Sequence, residues 1–230
     1  MVPDPNDAAS CRGVTKVYVT ATGDVSALAA VDARFPTGRL STIVGPSGAG
    51  KSSLLRILAL MDQPDEGEVR IGDVQVDGLG QRARRGLRRR IIGYVFQNPA
   101  DNLLPYLTVQ EHVTMAARLR GLRRAEDGDT LLHALGLEHR LDHRPVQLSG
   151  GEQQRLAFAT AAVGRPQLIL ADEPTAELDV ESGRRLLQAI LDLRDLGVTV
   201  VVTSHDPNVM GVADHQVRLE HGHTAARALA

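Results

Sequence analysis

Nine consecutive residues, Gly45, Pro46, Ser47, Gly48, Ala49, Gly50, Lys51, Ser52 and Ser53, constrain the fold of this chain more than any other stretch. They follow the apolar run Leu40–Val44, which reads as a short buried strand. They precede Leu54–Leu60, whose apolar residues suit a helix packed on a sheet. Strand, glycine-rich turn, Lys-Ser and helix form the context that G-x-x-x-x-G-K-[ST] needs to denote a phosphate-binding loop rather than a glycine turn with a surface lysine. Glycines let backbone N–H groups converge on phosphate oxygens, and the helix N-terminus adds partial positive charge. In such a loop Lys51 reaches the β- and γ-phosphates and the Ser52 hydroxyl coordinates Mg2+. Lys16 and Lys51 are the only lysines, so Lys51 is hard to read as an ordinary surface cation. Nucleotide binding is the expectation.

At 230 residues the chain suits one domain, with room for a small inserted subdomain. A formal net charge of −2 gives no general drive toward nucleic acid or anionic lipid, and no nucleic-acid partner is expected. No apolar run approaches the ~18–20 residues needed to span a bilayer, and no signal-peptide pattern opens the chain. Any membrane role is therefore expected to come through a partner. The single Cys11 excludes an internal disulfide and fits a reducing cytoplasm.

Taken in order, residues 1–10 read as a loose polar end, 13–19 and 27–35 as strands, and 20–26 as the turn between them. Tyr18 is either a half-buried strand residue or a flat ring able to stack on a base. Residues 68–76 read as a hairpin around Gly72-Asp73. The six arginines between Gln81 and Arg90 suit a solvated face, with an acidic partner loop or lipid headgroups as the other reading. Residues 91–96 read as a strand, with Gln97 at its carboxyl end, where ligand groups collect in open α/β sheets.

Beyond Asn98 the character becomes helical. Thr108-x-x-Glu111 is a capping box opening a helix to about Leu119, and Gly128 is expected to limit a short helix over 130–135. Ser149, Gly150 and Gly151 stand where an N-cap belongs, presenting backbone N–H groups in a second anion-binding arrangement, with a plain capped helix as the simpler reading. The strand 167–171 ends in Asp172-Glu173, adjacent carboxylates that are costly unless a cation or a function holds them. In a nucleotide-binding fold the first holds Mg2+ and the second faces the attacking water. Asp179 closes a further acidic loop before a helix over 181–196, and a strand over 198–202 leads to His205 at the same sheet edge. The tail, 217–230, suggests a last strand and hairpin, with His221 and His223 solvated.

The ordered series of phosphate loop, Gln97, Leu148-Ser-Gly-Gly-Glu152, Leu168–Pro174, Ala176–Asp179 and His205 resembles the ATP-binding subunits of ABC transporters over essentially the whole chain. The Ser-Gly-Gly-Glu signature is its specific part. The resemblance implies a RecA-like P-loop α/β core with an antiparallel β region and an inserted helical subdomain at about 99–165, all within one ATP-binding domain over 1–230. It also implies a head-to-tail dimer, homo- or heteromeric, with two ATP molecules between the loop of one subunit and the signature of the other. Carried over by motif, Tyr18 stacks on adenine and Gly45–Ser53 hold the phosphates, while Ser52, Gln97 and Asp172 hold Mg2+. Glu173 is the general base, His205 contacts the γ-phosphate, Ser149 and Gly151 serve the partner's nucleotide, and Asp179 joins the seam. The implied partner is a membrane permease on a separate chain, which places the subunit at the cytoplasmic face of the membrane.

Within that family, Asn102–Thr108 and the His205 ending look most like the branch serving lipoprotein release, macrolide-type export and cell-division signalling. Two features depart from it. Asn98–Asp101 lengthens the stretch after Gln97, and Ala159-Thr-Ala-Ala162 lacks an arginine usual on that helix. A signalling ATPase acting through a permease-like protein, and a soluble member acting on ribosomes, DNA or cofactor assembly, are the alternative functions.

Overall fold

The computed structural model describes residues 6–21 and 23–225. Strands β1 (Asp7–Thr20) and β2 (Gly23–Pro36) form a long antiparallel ribbon. With β4 (Glu66–Ile71) and β5 (Val74–Gln75) they build a four-stranded sheet in the order β2-β1-β4-β5. A second sheet contains β3 (Leu40–Val44), β6 (Ile92–Val95), β7 (Leu168–Asp172), β8 (Val200–Thr203), β9 (His215–Glu220) and β10 (His223–Thr224). Its order is β10-β9-β3-β8-β7-β6, parallel from β6 to β9.

The central strands are apolar on both faces, as a sheet covered on both sides requires. Alternation sends Ile169, Ala171, Val200 and Val202 to one face and Leu168, Leu170 and Val201 to the other. The first face is covered by α3 (Val109–Leu119), α4 (Gly128–Ala134), α5 (Gly150–Ala162) and α6 (Val180–Asp195). The second packs on α1 (Lys51–Leu58) and on the antiparallel sheet. Two further helices, α2 (Gln81–Ile91) and α7 (Pro207–Val212), flank the parallel sheet.

Register then sets the site. Thr203 lies opposite Ile43 on one side and Asp172 on the other, and Val95 lies opposite Ala171. The carboxyl ends of β3, β8, β7 and β6 therefore share one edge, so the segments beginning at Gly45, Ser204, Glu173 and Phe96 emerge side by side.

Several local expectations change. Residues 7–10 are not a loose end but the start of β1, where the Asp7 carboxylate takes the Arg34 guanidinium at 2.7 Å; residues 1–5 lie outside the described part, as do 226–230 of the tail. The hairpin turn is short, and β2 begins at Gly23, within the stretch read as a turn. Gly128 does not limit α4 but opens it, packed against Val113, while the Asp127 carboxylate accepts the Gly164 N–H at 3.0 Å. The arginine run is not wholly solvated. Arg84 is buried and donates to the Asp62 carbonyl, and Arg88 donates to the Leu60 carbonyl at 3.2 Å, so both serve carbonyls just past α1. An arginine also reaches the end of α5, from another helix. Half-buried Arg120 donates to Ala161 at 2.8 Å and to Ile92 at 3.1 Å.

Candidate functional site

The loop after β3 is held by close backbone approach. A Cβ on Gly45 would lie 2.2 Å from the Leu219 carbonyl oxygen, and one on Gly50 would lie 2.3 Å from that of Ala27. Gly45 and Gly50 also have φ of 154° and 95°, values that L side chains rarely adopt. Gly50 caps α1, so the first N–H groups of that helix, around Lys51–Ser53, open toward the loop. Lys51 is buried, and its ammonium donates to the Gly45 and Pro46 carbonyls at 2.9 and 3.2 Å.

The neighbouring strand ends bring acids to that lysine. Asp172 Oδ1 accepts the Ser52 hydroxyl at 3.2 Å. Glu173 Oε1 lies 3.7 Å from Lys51 Nζ, and its Oε2 lies 3.2 Å from His205 Nδ1. Glu173 has a left-handed backbone with φ of 41°, a conformation costing on the order of 1–3 kcal/mol that persists only where surroundings impose it. Its N–H is gripped by Thr203, at 2.9 Å to the hydroxyl and 3.2 Å to the carbonyl. A cleft of about 280 Å³ opens here, lined by Glu173, Ala176, Ser204 and His205 among others.

Gln97 is exposed, two residues beyond β6. Asn102 closes its loop by accepting the Phe96 N–H and donating to the Tyr94 carbonyl, both at 2.8 Å. The extra residues form a single 3-10 turn over Pro99–Asp101, capped by the Asn98 side chain. Tyr18 sits beside α1, donating to Asp62 at 2.8 Å, with Lys16 Nζ 5.3 Å from its ring centre. Burial raises the Tyr18 phenol above its ordinary pKa, opposed by the Ser53 hydroxyl and reinforced by Asp62. Partial burial pulls Asp62 upward, but the Tyr18 hydroxyl, the Gln63 N–H and Lys16 outweigh it and hold that carboxyl low.

Ser149, Gly150 and Gly151 lie elsewhere. Ser149 caps α5 in a full capping box, with its N–H donating to Glu152 at 2.8 Å and its hydroxyl accepting the Glu152 N–H at 3.3 Å. Arg140 adds a 2.9 Å bond to Glu152. Burial pushes the Glu152 carboxyl up, but the Ser149 N–H, the Arg140 guanidinium and the Ser149 hydroxyl, which donates to the carboxylate at 2.9 Å, prevail and bring it down to about 2. Gly151 abuts Ser182 on α6, whose N-cap is Asp179. Bonds from the Ser182 N–H and hydroxyl and the Glu181 N–H hold the Asp179 carboxyl below its usual range. Among the described residues no hydrogen bond or ion pair joins Ser149–Gly151 or Asp179 to the 45–53 loop. The fold thus presents two glycine-bearing helix starts on separate elements.

These two arrangements can be set beside known proteins. The ABC transporter family model matches residues 28–176. The lipoprotein-releasing system ATP-binding protein LolD 2 of Caulobacter vibrioides is 40% identical over 216 residues, covering 92% of this chain and 94% of that protein. The chain belongs to the ABC transporter family. LolD of Cereibacter sphaeroides is 41% identical over 91% of the chain and 95% of its own length. The macrolide export ATP-binding/permease protein MacB of Marinobacter nauticus is 39% identical over 95% of the chain, which spans 34% of it. In three dimensions the chain is similar to the dimeric post-hydrolysis state of the ATP-binding cassette MJ0796 bound to ADP and Pi. The TM-score is 0.83 and the identity 36%, over 95% of this chain and 97% of that one. The chain therefore has the P-loop α/β fold of an ABC cassette, and its resemblance to the lipoprotein-release and macrolide-export branch is matched by these relatives.

Two contributors to the cassette's geometry, Asp62 and Thr203, were not evident from the motifs, whereas a third, Glu152, lies within the Ser-Gly-Gly-Glu signature. Ser149-x-x-Glu152 is itself a capping-box pattern, which signals Glu152. Asp62 and Thr203 act on residues 44 and 31 positions away, and no local pattern signals them.

Proposed function

We propose that this chain is the ATP-binding and ATP-hydrolysing subunit of an ABC transporter, driving a separate membrane permease through nucleotide-dependent dimerisation. The convergence of Lys51, Ser52, Asp172, Glu173 and His205 on one sheet edge carries this reading. Among the described residues no helix is long and apolar enough to cross a membrane. In this reading a separate permease chain spans the bilayer and the subunit sits peripherally at its cytoplasmic face.

The donor set fits Mg-ATP. A hydroxyl and a carboxylate 3.2 Å apart, Ser52 and Asp172, are hard oxygen ligands of the kind Mg2+ takes together with phosphate and water. Gln97, at the end of the adjacent strand, completes the set. Bound Mg2+ would neutralise charge on the β- and γ-phosphate oxygens. Phosphoryl transfer to water needs positioning and charge stabilisation rather than a covalent step, and the chain supplies both. Gly45–Ser53 present N–H groups to the phosphates, and the Lys51 ammonium moves from loop carbonyls to phosphate oxygens. Glu173 accepts a proton from the attacking water, and His205 contacts the γ-phosphate. Tyr18 stacks on adenine.

Ser149–Gly151 are presented on a different element from the loop, which is the arrangement a head-to-tail dimer uses. Each subunit's signature then caps the nucleotide held by the other, with Asp179 at the seam. Residues of about 99–165 act as the inserted helical arm that carries the signature. The test is phosphate release by the purified chain: ATP is hydrolysed with Mg2+ and chelation of the metal stops it. Persistent hydrolysis in excess chelator contradicts the assignment.

A further inference from the structure

We propose that Thr203 is the positioning residue that sets both acids of the hydrolytic site, an inference that rests on the roles given above to Asp172 and Glu173. It is the last residue of β8 and is fully buried between Ile43 and Asp172 in the parallel register. A threonine hydroxyl has one proton to donate and two lone pairs to accept. Here the proton goes to Asp172 Oδ1 at 2.5 Å, and a lone pair takes the Glu173 N–H at 2.9 Å. One side chain therefore fixes the head of the metal-holding carboxylate and the backbone of the general base.

Both holds matter to the chemistry. Among the described residues Asp172 Oδ1 is otherwise bonded only by the exposed Ser52 hydroxyl at 3.2 Å, which is itself assigned to the metal. When Ser52 turns to Mg2+, Thr203 keeps the carboxylate oriented. Glu173 occupies a left-handed backbone that surroundings must impose, and among the described residues its N–H bonds reach only to Thr203. Packing does not require the hydroxyl. β8 is otherwise Val200, Val201 and Val202, and valine at 203 would suit a buried strand equally well.

The experiment compares T203V and T203S with the parent full-length chain in ATP hydrolysis, Mg2+ titration, binding of a fluorescent ATP analogue and thermal melting. With hydroxyl bonds of ordinary strength removed from two half-buried partners, T203V should lower kcat by about tenfold to hundredfold. It should also raise the Mg2+ needed for half-activity by about threefold or more while leaving nucleotide affinity within about threefold. T203S keeps the hydroxyl and should recover most of both. Should T203V fail to fold, T203A removes the same group with less bulk and is read the same way. A kcat near the parent value, an unchanged Mg2+ requirement, or a T203S as impaired as T203V overturns the proposal. E173Q run alongside separates the two levels of the argument. If E173Q is inactive while T203V is normal, this inference alone falls; if E173Q hydrolyses at the parent rate, the reading of the site falls with it.

Discussion

Glu173 and His205 meet across the ends of β7 and β8, carboxylate to imidazole at 3.2 Å, while the same carboxylate lies 3.7 Å from the Lys51 ammonium. Glu173 thus stands between the group assigned to the phosphates and the group assigned to the γ-phosphate. In the proposed mechanism a base so placed is held near the attacking water by neighbours that also contact the nucleotide. E173Q keeps the size and removes the base, so turnover should fall by about a hundredfold or more while ATP still binds. Phosphate release and equilibrium binding measured on one preparation check this, and unchanged release would remove Glu173 as the base.

Lys51 is buried with its charge spent on two loop carbonyls and one carboxylate. K51A removes the cation that the phosphates would recruit. Loss of a charge-assisted contact predicts nucleotide affinity weakened by about tenfold to hundredfold. Titration with a fluorescent ATP analogue measures it, and an affinity equal to the parent's would refute the assigned role.

Much of this site was legible because its chemistry is local in sequence. The 45–53 loop, Asp172-Glu173 and the Ser149 cap are contiguous patterns, and Leu40–Val44 reads as a strand because it is an apolar run ended by glycine. What stayed hidden depends on partners far along the chain. Asp7 looks like a polar end until Arg34 pairs with it across the hairpin. Arg84 looks solvated until the Asp62 carbonyl is brought to it. Thr203 looks like one more β-branched residue in a valine strand, since its bond to Asp172 spans 31 residues. Gly128 belongs here for a related reason: helix propensity disfavours it, yet its lack of a side chain admits Val113.

Glu152 links the signature cap to pH. Its folded pKa, about 2, lies below the ordinary 4.5, so its contribution to stability is fully present above about 4.5 and fades as pH falls toward 2. E152A should cost about 0.5–2 kcal/mol near neutral pH, the range for a lost cap, and the gap from the parent should narrow in acid. Chemical denaturation of both proteins at a series of pH values checks the sign. A gap that widens as pH falls through that window would contradict it.

Tyr18 offers a ring beside α1 and a hydroxyl fixed by Asp62. If the ring stacks on adenine, Y18A should weaken ATP binding by about tenfold, while Y18F, which retains the ring, should stay close to the parent. Comparing ATP with inorganic triphosphate isolates the base. Equal losses for both ligands in Y18A would rule out stacking.

The dimer can be tested by complementation between two inactive subunits. Lys51 and Ser149 serve different nucleotides in the proposed arrangement, so K51A and S149R should each be inactive as pure dimers. Mixed in equal amounts with free exchange, half of the dimers are hybrids carrying one intact site of two, so hydrolysis should recover to about a quarter of the parent rate. Recovery at that level is the result this account predicts. Two well-folded, freely exchanging variants that stay inactive when mixed would show that the loop and the signature cap do not work across a subunit boundary.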